Sequence, residues 1–194
     1  SGGSISSAYL LKSESRNYFL KVNPEPFALN MFHTEQKGME AIEKSDTISV
    51  PHVYLADQFK SHAFLLMDFI EPKQPSSDDF RRLGNRLAAM HQHKTWQFGF
   101  DIDNYIGKLP QSNNKHNNWS EFYWSERILP QLKMSLDKGL LRKNEIPSED
   151  KALSVFSRLL GNPEPSLIHG DLWGGNYLIA SSGEPFLIDP ATYF

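Results

Sequence analysis

The sequence contains no cysteine among its 194 residues, and this absence excludes disulfide bonds and a thiol nucleophile. It also has no apolar run near the roughly 20 residues that a membrane-spanning helix needs. A formal net charge of -3, without a block of basic residues, argues against nucleic acid as a partner. Because the start, SGGSISS, has no signal-peptide pattern, we expect a cytoplasmic protein with no membrane contact.

Near residue 70 the sequence changes from strand-like to helix-like patterns. The proline-bearing residues 71–77 (EPKQPSS) form a candidate linker at this change. We therefore predict an α+β fold, with an N-terminal lobe over residues 1–70 and a mainly helical C-terminal lobe over residues 71–194. Thr34 is a candidate cap of the first helix. The predicted strands are 8–12, 18–22, 53–56, 63–69, 177–180 and 185–188, and the predicted helices are 32–44, 78–91, 121–138 and 149–160.

The stretch HGDLWGGN at residues 169–176, followed by FLIDPA, combines two acids and an asparagine at a spacing that indicates a functional site. Asp171 and Asn176 are five residues apart (176 − 171), and Asp189 lies eighteen beyond Asp171 (189 − 171). Protein kinases use this layout, in which a loop Asp takes the substrate hydroxyl proton while the Asn and second Asp hold Mg²⁺. We therefore predict Asp171 as the catalytic residue and Asn176 and Asp189 as metal ligands. Each acid alone is also typical of a cap or turn, and His169 is interpreted as a buried support of the loop.

This layout also requires a lysine for the α- and β-phosphates and a helix glutamate that holds it. Lys21, in YFLKVN, and Glu35, in the first helix, fit by order and spacing. The alternatives are an ordinary edge-strand lysine and a first-turn acid that interacts with the helix dipole. Glu40 and Glu43 are competing partners of the lysine, but we expect them to face elsewhere.

The remaining nucleotide contacts are predicted in two stretches. In LLMDFIEP, Met67 would lie behind the adenine, and the segment Asp68, Phe69 and Ile70 would offer the Asp68 carbonyl and the Ile70 amide; the alternative is a plain core strand. The candidate phosphate loop is weaker, because GGSISS is not a GxGxxG motif. Its backbone amides and hydroxyls would come from Gly3, Ser4, Ile5 and Ser6, unless the initial SGG derives from a vector.

At these residues the sequence resembles the fructosamine (ketosamine) 3-kinases, relatives of the aminoglycoside and choline kinases within the protein-kinase-like fold. The family's HGDLW-x-GN and DPA motifs match residues 169–176 and 189–191, and its FLKVN matches residues 19–23. Residues 98–113 and 117–132 are also similar. The family's GG-x-I-S loop matches residues 2–6, which argues against a vector origin. Because family members continue beyond the late hairpin, we expect this chain to be part of a longer domain.

The resemblance implies an enzyme that uses ATP and Mg²⁺ to phosphorylate the C3 hydroxyl of a small or protein-bound ketoamine, as a deglycation repair. Trp119, Trp124 and Trp173 are candidates for the wall of a sugar or amine pocket, although tryptophan is more often a core residue. Two alternatives stay open: a kinase of aminoglycosides, choline or another amino-alcohol, and a nucleotide-binding pseudoenzyme. Of the possible oligomeric states we favour a monomer.

Overall fold

Four antiparallel strands and one long helix form the N-terminal part of the protein. The computed structural model describes residues 6–194. The strands are β1 (Ser7–Lys12), β2 (Asn17–Asn23), β3 (Val53–Phe59) and β4 (His62–Asp68), in the sheet order β1-β2-β4-β3. Helix α1 (Ala28–Lys44) connects β2 to β3 and packs on one face of the sheet. Its buried Phe32 and Met39 form a core with Leu65 and Met67 of β4.

Helix α1 begins earlier than predicted, and the prediction that Thr34 caps it was wrong. Thr34 lies in the second turn, where its hydroxyl donates to the Met31 carbonyl at 2.9 Å. Ala28 is fully buried against the sheet, so the apolar stripe starts one turn before Phe32. Packing on the sheet therefore extends the helix toward its N-terminus, where Phe27 is the cap residue.

The sheet ends at Asp68, and residues 71–76 cross to the helical part as an extended segment. The Lys73 N–H donates to the Ile179 carbonyl, and the Ser181 N–H donates to the Glu71 carbonyl, both at 2.9 Å. The segment therefore runs beside the late hairpin, formed by β7 (Tyr177–Ile179) and β8 (Pro185–Leu187). The element order changes from strands to helices here, and the linker makes its own contacts with the second part.

The C-terminal part is mainly helical. Its helices are α2 (Ser77–Met90), α3 (Trp119–Phe122), α4 (Leu129–Asp137) and α5 (Glu149–Leu160). A π-helical segment, Tyr123–Ile128, joins α3 to α4 where one regular helix was predicted, and Lys143–Glu145 is a 3₁₀ turn. A hairpin of two three-residue strands, β5 (Asn104–Ile106) and β6 (Leu109–Gln111), was not predicted. Among residues 6–194, no helix combines the length and apolar character that crossing a membrane would demand.

One apolar cluster fixes the two parts against each other. Ile42 of α1 and Ile48, from the N-terminal part, pack with Leu83, Leu167 and Leu187 of the helical part. All five side chains are buried. Because α2, the strand-like residues before His169 and β8 all enter this cluster, it holds the HGDLWGGN loop and the late hairpin beneath α1.

Candidate active site

A cavity of about 370 Å³ lies between the sheet-bearing part and the helical part. It brings together the two acids, the asparagine, the lysine and the helix glutamate that the motif spacing singled out, and Lys21 and Asp189 among them are 168 positions apart in the sequence. The lining residues that were predicted from the sequence are Ser6, Lys21, Glu35, Asp171, Trp173, Asn176 and Asp189.

Lys21 is the link between the sheet, helix α1 and the late hairpin. In the sheet register it lies opposite Ala8 and Leu65, so its side chain shares the face on which α1 packs. Its Nζ donates to Glu35 Oε1 at 2.7 Å and also to Asp189 Oδ1. The predicted Lys21–Glu35 ion pair is therefore confirmed, and it faces the late hairpin.

Burial and charge act in opposite directions on this ion pair. Burial lowers the pKa of the Lys21 ammonium, but the Glu35 and Asp189 carboxylates outweigh it and raise the pKa above its ordinary value. Burial raises the pKa of Glu35 to about 7, although the Lys21 ammonium lowers it and the Asp189 carboxylate raises it. Both side chains of the pair are only 11% exposed, whereas that of Asp189 is 44% exposed. The lysine is thus a cation fixed at the cavity wall.

His169 supports the loop from behind. Its Nδ1 accepts from the Asp171 N–H at 3.2 Å, so the proton is assigned to Nε2, which donates to the Ile188 carbonyl at 2.9 Å. The ring is 2% exposed, and this burial lowers the pKa of His169, so the neutral form is favoured. These contacts match the predicted supporting role, because both ring nitrogens are engaged by the two loops that carry Asp171 and Asp189.

The loops that carry Asp171 and Asp189 approach each other so closely that a side chain would not fit at Gly170. Its φ of +81° is a conformation that other residues rarely adopt, and a Cβ there would lie 1.9 Å from the Ala191 carbonyl oxygen. The Ala191 N–H donates to the His169 carbonyl at 2.9 Å. Asp189 itself has a φ of +55°, which is uncommon for a residue with a side chain and turns its carboxylate back toward Lys21.

Asp171, Asn176 and Asp189 form an oxygen-rich edge of the cavity. Asn176 Nδ2 donates to the Asp171 carbonyl at 2.8 Å and to its carboxylate Oδ2 at 3.2 Å, so the amide oxygen is the atom that could bind a cation. Among residues 6–194, no cluster of three or more His, Asp or Glu side chains could hold a metal by itself. One carboxylate and one amide oxygen fit Mg²⁺, which commonly takes few protein ligands and completes its shell with phosphates and water.

The predicted adenine residues lie apart from this cavity. Met67 is buried in the sheet–α1 core. The Asp68 N–H donates to the His52 carbonyl at 2.9 Å, and its carboxylate accepts from the Tyr54 hydroxyl at 2.7 Å. In the described part of the chain, the cavity lining includes none of Met67, Asp68, Phe69 and Ile70. Their contact with adenine therefore stays a prediction for the segment that connects the two parts.

Only the last residue of the predicted phosphate loop, Ser6, lies within the described residues, and its phosphate contact stays a prediction. Gly3, Ser4 and Ile5 lie outside the described residues. Ser6 lines the cavity, and its hydroxyl accepts from Asn23 Nδ2 at 3.2 Å. Ser6 is thus held on the side of the cavity where Lys21 also lies, as a phosphate contact requires.

The three candidate tryptophans separate into one cavity residue and two core residues. Trp173 lines the cavity and is 56% exposed. Its ring covers Gly175, where a Cβ would lie 2.4 Å from the Trp173 ring. Trp119 packs against Phe98, and Trp124 is buried. Among the described residues that line the cavity, neither Trp119 nor Trp124 is present. The cavity lining therefore does not support their predicted contact with the substrate.

Sequence reasoning missed several cavity residues, chiefly on the β5–β6 hairpin. Tyr105 and Gly107 come from this hairpin, Met31 and Thr34 from α1, and Pro190 follows Asp189. The family-like stretch at 98–113 was the available signal, but its short strands and its aromatic residues gave no chemical role. Met31 lies four residues before Glu35 on α1, so helical spacing could have found it, whereas Thr34 directly precedes Glu35 and no such spacing indicates it.

The fold and the grouping of these side chains are those of the protein-kinase-like class of phosphotransferases. The profile of the fructosamine kinase family matches residues 1–194, so the chain belongs to this family. It is 37% identical to a probable ketoamine kinase of Vibrio parahaemolyticus over 199 residues, covering all of this chain and 67% of that protein. The chain therefore spans about two thirds of the length of this relative.

Solved structures agree with this assignment. A provisionally assigned fructosamine-3-kinase of Haemophilus somnus matches with a TM-score of 0.86 and 28% identity, covering 100% of this chain and 64% of that one. A spectinomycin phosphotransferase, solved with ADP and spectinomycin, matches with a TM-score of 0.50 and 16% identity over 97% of this chain and 60% of that one. The second match concerns the fold alone.

Proposed function

We propose that the full-length protein is an ATP-dependent kinase that phosphorylates the C3 hydroxyl of a ketoamine. The observation that carries this proposal is the convergence of Lys21, Glu35, Asp171, Asn176 and Asp189 on one cavity, in a chain that belongs to the fructosamine kinase family. A phosphoryl transferase needs these groups because the reaction depends on positioning and on neutralising phosphate charge.

The residues divide the reaction between them. Lys21, fixed by Glu35, binds phosphate oxygens, and the Asp171 carboxylate orients the acceptor hydroxyl. As the hydroxyl oxygen bonds to the γ-phosphorus, the bond from that phosphorus to the β–γ bridging oxygen breaks, and ADP leaves. The hydroxyl proton passes to Asp171. Asn176 and Asp189 would hold Mg²⁺, which neutralises phosphate charge when bound. His169 maintains the loop geometry and transfers no proton, because Ile188 and Asp171 occupy both its nitrogens.

The biological role follows from the product. A ketoamine phosphorylated at C3 is unstable and breaks down, which frees the amine, so we propose deglycation of small or protein-bound amines as the outcome. We further propose a cytoplasmic site of action, and a division into lobes at residues 1–70 and 71–194 with the nucleotide between them. The cluster around Ile42 and Leu187 supports this arrangement, because it joins the two lobes beside the cavity.

The proposal is tested with the full-length protein and Mg·ATP. ADP release is measured against fructose-, ribulose- and erythrulose-derived ketoamines, choline and aminoglycosides, and the position of the phosphate is determined by NMR. Turnover of a ketoamine with phosphate on C3 is the expected result. Turnover of only choline or an aminoglycoside would assign the protein to a sister activity. Nucleotide binding without turnover of any acceptor would favour a pseudoenzyme.

The roles of the two acids predict different failures. Asp171→Asn should leave Mg·ATP affinity nearly intact while turnover falls by roughly 10² or more, the scale of losing a general base. Asp189→Asn should weaken Mg²⁺ and nucleotide binding together, because a charged ligand is removed. Nucleotide titration beside turnover distinguishes the two. Near-normal turnover of Asp171→Asn, or wild-type Mg·ATP binding by Asp189→Asn, would contradict these assignments.

A further inference from the structure

The β5–β6 hairpin connects the helical part to the beginning of α1. Tyr105 of the hairpin stacks on Phe27, with ring centroids 5.8 Å apart and planes 19° from parallel, and Lys108 pairs with Glu25 at 3.0 Å. At its base the buried Asn104 Nδ2 donates to the Thr192 carbonyl at 2.8 Å. The hairpin is therefore fixed both to α1 and to the segment that follows Asp189.

Tyr105 lines the cavity, and contacts with α1 and with the residue before that helix hold its ring. The hydroxyl accepts from Asn30 Nδ2 at 3.1 Å, and Phe27 covers one face of the ring. The residue is half-buried and lines the cavity together with Asp171 and Trp173. Its ring is therefore held in place at the cavity, where an aromatic face can contact a bound molecule.

The charges around this ring favour a cation. Among the described residues, the cavity lining contains the carboxylates of Glu35, Asp171 and Asp189 and one ammonium, that of Lys21. Under the proposed function Asp189 and Lys21 serve the nucleotide and Mg²⁺, which leaves Asp171 with the two aromatic rings for the acceptor. An aromatic face attracts a nearby ammonium through its quadrupole, and the contact strengthens as water is excluded. A cavity lined by this carboxylate and two aromatic rings is thus suited to an acceptor that bears a protonated amine.

We propose that Tyr105 is a specificity-determining residue of the acceptor site, and that its ring binds the protonated amine of the ketoamine while Asp171 binds the sugar hydroxyl. This proposal rests on the proposed function and deepens it. Tyr105, on the β5–β6 hairpin, would then select amine-linked sugars over neutral ones. Phe27 and Asn30 hold the ring in place for this contact.

The test compares two acceptors that carry the same sugar. One is a ketoamine with a protonated secondary amine, and the other is its neutral ether, in which oxygen replaces the amine nitrogen. Steady-state kcat/KM is measured for both with full-length wild type, Tyr105→Leu, Tyr105→Met and Tyr105→Phe. Leu and Met keep apolar bulk without a π face, and Met serves if the Leu variant does not fold. Phe59→Ala is the matched aromatic deletion, because Phe59 is 69% exposed and lies at the far end of β3.

The wild-type preference for the amine over the ether should fall about tenfold in Tyr105→Leu and Tyr105→Met, the scale of a desolvated cation–π contact. Tyr105→Phe and Phe59→Ala should keep the preference. A purely structural role of Tyr105 would lower kcat/KM equally for the amine and the ether. The ratio of the two kcat/KM values is therefore unaffected by a loss of folding or of nucleotide binding. An unchanged ratio in the Leu and Met variants overturns the role of Tyr105 but leaves the kinase proposal standing. If wild type phosphorylates no ketoamine, the proposed function fails and this inference fails with it.

Discussion

At the scale of single residues, Gly38 shows how closely α1 approaches the loop of the predicted metal ligand. A Cβ at Gly38 would lie 3.0 Å from Thr192 Oγ1 and 3.2 Å from Pro190 Cγ. Thr192 is fully buried and the proline ring is stiff, so neither can yield without shifting the loop. We predict that Gly38→Ala lowers the free energy of unfolding by about 1 kcal/mol, since overpacking exceeds the gain in helix propensity.

Gly84 is the matched control for this prediction. It lies inside α2, where an added Cβ would meet no atom of the described chain within 4 Å. Gly84→Ala should therefore raise the free energy of unfolding by about 0.5–1 kcal/mol. Denaturant unfolding of both variants of the full-length protein measures the difference. Equal stabilisation by the two substitutions would show that α1 does not depend on a close approach at Gly38.

At the scale of elements, the start of α2 is a capping box that also holds the linker between the two parts. The Asp79 carboxylate accepts from the Ser76 N–H at 2.8 Å and pairs with Lys73 at 2.9 Å. These contacts, the Ser76 backbone bond first, lower the pKa of Asp79 to about 2. Because the folded-state pKa lies below that of the unfolded chain, the stabilisation is fully present above about pH 4 and lost as the pH falls toward about 2.

This pH dependence of the stabilisation by Asp79 leads to a prediction about Asp79→Asn. The variant should be less stable than wild type at pH 7, and the gap should close as the pH falls from about 4 to about 2. Asp78→Asn is the control, because Asp78 is 81% exposed and pairs only with Arg81 of its own helix among the described residues. Urea unfolding at several pH values measures both gaps. A gap for Asp79→Asn that stays constant down to pH 2 would contradict the ionic role of this cap.

At the scale of the whole molecule, the sequence predicted those features that depend on residues close together in the chain. The amphipathic spacing of residues 149–160 predicted the bounds of α5. The spacing of the acids in the HGDLWGGN and DPA motifs predicted that Asp171 and Asp189 lie close together, and both line one cavity. The β5–β6 hairpin was missed because three-residue strands carry no usable periodicity, and the contacts that stabilise it, such as Tyr105 on Phe27, are distant in sequence. The earlier start of α1 likewise depends on burial against β4, which no local pattern shows.

The last prediction concerns how a nucleotide would join the two parts. Lys21 already connects the sheet to α1 through Glu35 and to the late hairpin through Asp189, so a phosphate bound to it contacts both sides of the cavity. A ligand that binds only the folded state stabilises it by about 2.7 kcal/mol at 100 times its dissociation constant. We therefore predict that Mg·ATP raises the Tm of the full-length wild type by several degrees, and that Lys21→Met loses most of this shift.

The matched control is Lys37→Met, which removes an exposed lysine of α1 that pairs with Glu40 at 2.7 Å. Lys21→Met has its own cost, because Glu35 is left buried without its cation and will bind a proton. Each variant is therefore compared with itself, with and without Mg·ATP, in thermal melts. The shift should persist in Lys37→Met and shrink in Lys21→Met. An undiminished shift in Lys21→Met would mean that the nucleotide is held without this lysine, and that the Lys21–Glu35 pair supports the fold rather than phosphate binding.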